Sequence, residues 1–482
     1  MNPAPVIVWF RRDLRLADNP ALSAALATGA PLVLVFIDDR GTHDSAPLGA
    51  AASWWLHESI RSLSESIKMA GNRLILRKGH PYQVLNELIT ETGAQSVHWN
   101  RRYEPMVIRR DAEIKASLSK TGLAATSHNG SLLHEPWIVK NKSGNPFRVF
   151  TPYWRHCLTL PVSEPLPAPT HLKPIAKTLP SENLEDLRLQ PTFGWDAGIS
   201  AAWQPGESRA QEGLDLFLTK AFADYSTERD RPDQTGTSRL SPHLQFGEIS
   251  PRQIRQGLQK HAQKLALPSS EWIGSQFLAE LGWREFANHL LYHFPETVRH
   301  PLRAEFENFP WRSDPQALIA WQKGRTGYPI VDAGMRELWT TGWMHNRVRM
   351  ITASFLVKDL LIDWRHGADW FMDTLVDADL AANTLGWQWT AGCGADAAPF
   401  FRIFNPTSQG ERFDPDGDYV RRWVPELAKL PKRWIHQPWN APAAVLQSAG
   451  IRPGQDYPEP IVSHAIARNV ALEAFQKIKT RP

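Results

Sequence analysis

The chain has 482 residues, 42% hydrophobic and 22% charged, the balance of a soluble globular protein with room for two or three domains. A formal net charge of only +4 excludes an evenly basic polyanion coat, so any nucleic-acid site has to be a local patch. Two cysteines, Cys157 and Cys393, and histidines without ligand spacing exclude a disulfide framework and a structural metal site, and point to a reducing, cytoplasmic compartment.

No apolar run reaches the roughly 20 residues that span a bilayer. Met1 to Phe10 also lacks the basic region and long apolar stretch of a secretory signal, so neither export nor membrane insertion is expected. In chain order, Val6 to Phe10, Leu32 to Ile37, Arg73 to Leu76 and Ser96 to Trp99 read as buried strands. Helices fall between them: Asp18-Asn19-Pro20 resembles an N-cap with proline in the first turn, and Trp54 to Met69 runs helically until Gly71. Strand alternating with helix predicts a doubly wound parallel sheet. The first strand is followed by Trp9-Phe-Arg-Arg-Asp-Leu-Arg15 in place of a glycine-rich dinucleotide loop, which argues against a nicotinamide dehydrogenase.

Eight prolines between Pro161 and Pro205 predict a connector draped over a surface. Beyond it the spacing is helical only: Gly213 to Ala223, Pro251 to Lys264, Ile273 to Tyr292, Pro315 to Gln322 and Asp332 to Thr340. The fold class is therefore an α/β domain with a doubly wound parallel sheet, over 1–130, a linker over 131–205 and an all-α domain over 206–475. The 21 tryptophans are far above the usual share and have three common uses, namely core filling, base stacking and electron relay.

The informative blocks lie in the helical half. Thr237-Ser-Arg-Leu-Ser241 sets three hydroxyls and an arginine before a short helix, a pattern that caps helices or holds a diphosphate. Trp343, His345, Asn346, Arg347 and Arg349 crowd polar groups into one apolar segment, where each needs a partner. Glu280 and Arg284 stand at i and i+4, a spacing that by itself usually means a surface ion pair.

Gly327-Tyr-Pro-Ile-Val-Asp332, Trp343-Met-His-Asn-Arg347, Asp377-Ala-Asp379, Gly386-Trp-Gln-Trp389 and Phe401-Arg-Ile-Phe-Asn-Pro406, in this order, resemble the signature of the photolyase/cryptochrome flavoproteins. The resemblance extends to Arg11-Arg-Asp-Leu-Arg15 and covers nearly the whole chain. It implies an antenna domain followed by an FAD-binding catalytic domain, and a reaction in which reduced FAD, excited by light, donates an electron to a flipped cyclobutane pyrimidine dimer. By the same resemblance Tyr225, Thr237, Ser238, Arg239, Leu240, Ser241, Arg284, Asn346, Arg349, Asp377, Asp379 and Asn383 hold FAD, with Asn346 at flavin N5. Glu280, Trp283, Met350 and Trp389 form the lesion pocket, and Arg229, Arg347 and Arg402 contact flanking phosphates. Trp387, Trp364 and Trp311 match the family's electron relay.

Asn346 stands where plant cryptochromes resemble this site with aspartate and animal ones with cysteine, which favours a repair enzyme over the alternative, a blue-light photoreceptor. A (6-4) lesion enzyme would call for a His-His pair where Met344-His345-Asn346 stands. Tyr103-Glu-Pro105 is followed by Met-Val rather than the usual folate contacts and is closer to class III enzymes, so 5,10-methenyltetrahydrofolate, in the usual or a different pose, is the expected antenna, with a deazaflavin or no antenna as the alternatives. The expected partner is UV-damaged DNA, bound by a monomer.

Overall fold

The computed structural model of the protein describes residues 3–397 and 401–479. Five parallel strands, β1 (Val6–Phe10), β2 (Leu32–Asp38), β3 (Leu74–Lys78), β4 (Ser96–Asn100) and β5 (Ala124–His128), lie in the order β3-β2-β1-β4-β5. Val6 pairs with Leu32 on one side and Ser96 on the other, so the order reverses at β1. β1 is apolar throughout because both faces are covered. Val6, Val8 and Phe10 pack with α1 (Pro20–Leu26) and α2 (Ala50–Met69), while Ile7 and Trp9 pack with α3 (Pro81–Thr92) and α4 (Pro105–Lys120). Asn19 caps α1 by accepting from the Leu22 amide, with Pro20 in the first turn, as its sequence predicts. β5, Ala-Ala-Thr-Ser-His, is an additional edge strand that its weak apolar character concealed.

The proline-rich stretch drapes over the sheet: Leu32 donates to Lys173 O at 2.8 Å, and Leu172 to Ala70 O at 2.7 Å. Within the expected linker, however, α5 (Phe150–Cys157) is built into the helical core, with Phe150, Tyr153, Trp154 and Cys157 all buried there. After His128 the described residues form helices and isolated bridges only.

The block Arg11 to Arg15 stitches the two halves together. Arg15 is buried and donates to Gly247 O at 2.8 Å, to Gly130 O at 2.7 Å and to Asp18 O at 2.6 Å. Leu14 N reaches Phe246 O, Leu16 N and Ala17 N reach the Glu207 carboxylate, and Asp18 pairs with Arg252 at 2.9 Å. Gly247 is required at this crossing: its φ is +66°, and a Cβ there would lie 2.1 Å from Arg12 O. A second seam is the fully buried Glu285, which accepts from Leu133 N at 2.8 Å and His134 N at 3.3 Å.

Candidate functional site

Three helices set the site. Gln276–His293 starts at Ser275, which accepts from Leu278 N; Asn346–Ser354 starts at His345, whose Nδ1 accepts from Arg347 N; Leu380–Ala391 starts at Asp379, whose carboxylate accepts from Ala382 N at 2.7 Å. Where they converge, a cavity of about 870 Å³ opens, near the upper end of the roughly 300–1,000 Å³ typical of ligand sites.

All seven residues expected to touch DNA line it: Arg229, Glu280, Trp283, Arg347, Met350, Trp389 and Arg402. Trp283 is held by face-to-face stacking on Phe150, centroids 3.8 Å apart and planes 9° apart, so its indole is presented in a fixed plane. Arg402 lies over the Trp389 ring at 6.0 Å. Of the expected FAD ligands, Ser241, Arg284 and Asn346 are on the cavity wall.

Arg349 donates to Asp377 at 2.8 Å and to Met344 O at 2.7 Å, the pairing that the resemblance implies. Around Arg349 gather three buried polar atoms with no hydrogen-bond partner among the described residues: Asp377 Oδ1, His345 Nε2 and Trp343 Nε1. Buried polar groups are paired in the great majority of cases, so one acceptor and two donors left open together fit a polar heteroaromatic such as an isoalloxazine. Burial drives the His345 pKa down to about 4, so its ring is neutral; with Nδ1 accepting, the proton is on Nε2. Arg239, at φ +52°, lays its guanidinium over Trp203 at 4.1 Å and Trp343 at 5.0 Å, beside the same group.

The remaining expected FAD ligands stand off the cavity wall. Tyr225 packs edge-on against Phe217 and Phe277, with its phenol pKa raised by burial. Leu240 is core, while Thr237 and Ser238 are half-buried in the turn before the helix Ser241–Gln245. Asp379, raised by burial, is engaged as a cap, and Asn383 donates to Ala368 O at 3.0 Å.

The i,i+4 pair between Glu280 and Arg284 does not form. Arg284 donates to Ser131 O at 2.7 Å, and Glu280 takes Arg229 instead, 51 positions away in sequence, with Gln276 donating to it at 2.7 Å. Burial opposes the Arg229 charge, but the Glu280 carboxylate more than offsets it and holds its pKa above the usual arginine value. Gln276 and Asp230 are wall residues that the sequence reading passed over, although Gln276 carried a signal in its i,i+4 spacing to Glu280.

Trp387 and Trp364 are each 2% exposed, inside the helical core, and Trp311 is half-buried against it. Trp387 lies so close to Gly367 that a Cβ there would be 2.0 Å from the ring, which fixes the indole against the helix that begins at Trp364.

A parallel-sheet domain joined to a helical domain, with open polar groups beside a tryptophan-walled cavity, is the frame of a flavoprotein that admits a second planar ligand. Residues 6–170 match the family described as DNA photolyase, and residues 277–477 the FAD binding domain of DNA photolyase. A deoxyribodipyrimidine photo-lyase of Agrobacterium fabrum is 50% identical, covering 99% of both chains. Cryptochrome-2 of Arabidopsis thaliana is 40% identical across 98% of this chain and 79% of its own. The crystal structure of a bacterial class III photolyase from Agrobacterium tumefaciens superposes with a TM-score of 0.96 at 49% identity, covering 100% of this chain and 99% of that one. The chain belongs to the photolyase/cryptochrome family of FAD-binding proteins. Among the described residues no helix is long and apolar enough to cross a membrane.

Proposed function

We propose that the protein is a light-driven deoxyribodipyrimidine photo-lyase that splits cyclobutane pyrimidine dimers in UV-damaged DNA. The observation that carries this reading is one cavity whose wall joins Trp283, Trp389 and Met350 to Glu280 and three arginines, next to the open polar group around Arg349. Reduced FAD, when bound, supplies the photoexcited electron.

The chain's own residues do the rest. Extruding a dinucleotide costs a few kcal/mol, least for a lesion that stacks and pairs poorly. Trp283 and Trp389 take over the lost stacking, at about 1–3 kcal/mol per base, and the Met350 thioether fills the space between. Glu280 faces the polar edge of the pyrimidines, while Arg229, Arg347 and Arg402 hold the flanking phosphates without reading sequence. Asp377, His345, Trp343 and Asn346 would hold and orient the flavin, with Arg349 holding Asp377 in place; Ser241, Arg239 and Arg284 would serve the rest of the cofactor. Trp387, Trp364 and Trp311 would carry reducing electrons inward.

The crevice at the C-terminal ends of β1 and β2, lined by Arg11, Arg12, Asp38, Asp39, Arg40 and Arg102, has room for about 30 Å³, too little for a pterin. A 5,10-methenyltetrahydrofolate antenna would therefore sit elsewhere on the α/β domain. We further propose a cytoplasmic monomer, the compartment being consistent with two buried free thiols. The 40% identity to Cryptochrome-2 favours a second reading, a blue-light photoreceptor. The (6-4) reading loses ground, because the lone His345 is neutral near pH 7 and has no charged proton to give.

The test is light-dependent loss of cyclobutane dimers from UV-irradiated oligothymidine by protein with chemically reduced flavin, against a dark control. Repair only in blue light supports the photo-lyase, whereas photoreduction of the flavin without repair overturns it in favour of the photoreceptor.

A further inference from the structure

The cavity rim has a property beyond the inventory of DNA-contacting groups: two of its three DNA-facing arginines, Arg229 and Arg347, are already neutralised by carboxylates, while Arg402 lies over Trp389. Arg229 is bound to Glu280, and Arg347 is bound to Asp230 through Nη2 at 2.7 Å and Nε at 3.3 Å. Asp230 also lies 4.0 Å from Arg229 Nε, so it stands between the two guanidiniums. Arg347 is further clamped by the Phe413 ring 4.4 Å from its guanidinium carbon. Asp230 remains one-third exposed and lines the cavity, accessible to a competing anion.

We infer that Asp230 is a specificity-determining residue, a carboxylate that occupies the phosphate-binding fork of Arg347 until a phosphodiester enters the cavity with an extruded dinucleotide. This deepens the DNA-repair reading and rests on it. A carboxylate and a phosphate compete for the same planar fork of donors. Undamaged duplex passing over the rim offers phosphates but no base contacts, and it does not displace Asp230. A dimer seated between Trp283 and Trp389 brings its phosphate into the cavity, where the exchange from Asp230 to phosphate is supported by the stacking energy. Asp230 thus lowers affinity for the wrong partner more than for the right one, a repulsive element placed beside an attractive one. It also limits the counterion-release binding to which a rim of free arginines would be prone.

The experiment measures dissociation constants of the flavin-loaded protein for undamaged and UV-irradiated oligothymidine, each annealed to oligoadenosine as a duplex, across a salt series. The variants are D230N, D230E and the D230N/R347Q double variant. Releasing Arg347 adds one phosphate contact, so D230N should bind undamaged DNA about threefold more tightly at 50 mM than at 200 mM salt relative to wild type, its salt slope steeper by about 0.9. Affinity for irradiated DNA should rise less, so that the preference for damage falls. D230E should restore wild-type behaviour, and the double variant should lose the gain.

Unchanged affinity and slope for undamaged DNA overturn the inference. So does a parallel loss of both affinities, which would make Asp230 a brace for Arg347, or a gain that persists in the double variant. The isosteric change at a partly exposed position leaves the core intact, and flavin content checks the fold. If wild type itself shows neither preference for irradiated DNA nor repair, the functional reading fails; if it shows both and D230N matches it, only the role of Asp230 fails.

Discussion

Glu285 should make stability depend on pH in a way that one isosteric substitution removes. Burial raises its carboxyl pKa from an ordinary 4.5 to about 7, against the lowering effects of Arg284 and of the Leu133 and His134 amides. The folded chain therefore keeps this proton after the unfolded chain has released it. Stability from this group is fully present below about pH 4.5, falls as pH rises through the interval and levels off above about 7. At about 1.4 kcal/mol per pH unit, the whole loss is about 3 kcal/mol. Glu285→Gln keeps an oxygen for both amides and never ionises, so the gap in its favour should open by about 3 kcal/mol between pH 4.5 and 8. For 482 residues, an unfolding entropy of about 1 kcal/mol/K converts this to about 3 °C in Tm. Thermal melts followed by circular dichroism at half-unit pH steps provide the check. Parallel Tm curves for the two proteins would refute the reasoning, as would a Gln variant that gains at acid pH instead.

Trp283→Ala should weaken binding of irradiated oligothymidine by about 5- to 150-fold while flavin content holds, measured by fluorescence anisotropy. Trp364→Phe should block photoreduction of oxidised flavin yet spare repair by chemically reduced protein; loss of both would contradict the relay. Arg349→Ala leaves the Asp377 carboxylate buried without its cation, which should cost about 3–5 kcal/mol and lower the FAD retained on purification, read from the flavin absorbance ratio.

Much of this architecture was legible because its signals were local. β1 to β4 read as apolar runs because a parallel sheet is covered on both faces, whereas β5 is a half-exposed edge whose Ala-Ala-Thr-Ser-His carries no such run. The crowding from Trp343 to Arg349 announced a site because buried polar groups need partners. The pairings inside it were not legible. Helical spacing offers Arg284 to Glu280, but tertiary placement of the turn after Tyr225 brings Arg229 there instead. Asp230 sat unnoticed between two arginines in Glu-Arg-Asp-Arg, since the neutralisation of Arg347 depends on a contact 117 positions distant. Glu285 looks in sequence like any glutamate on an amphipathic helix; tertiary packing, including the Leu133 and His134 amides that reach it, creates its burial.

The stitching of Arg15 into Gly247 bears on how the chain is made. Its guanidinium waits for a carbonyl 232 positions downstream. At a synthesis rate of about 5–20 residues per second, that wait is on the order of 10–50 s, during which the strand-bearing half holds an arginine and the amides of Leu14, Leu16 and Ala17 without their final acceptors. A severed amino-terminal fragment would keep those groups open permanently. The nascent polypeptide becomes complete, in a physical sense, only when its middle has emerged and closed over its beginning.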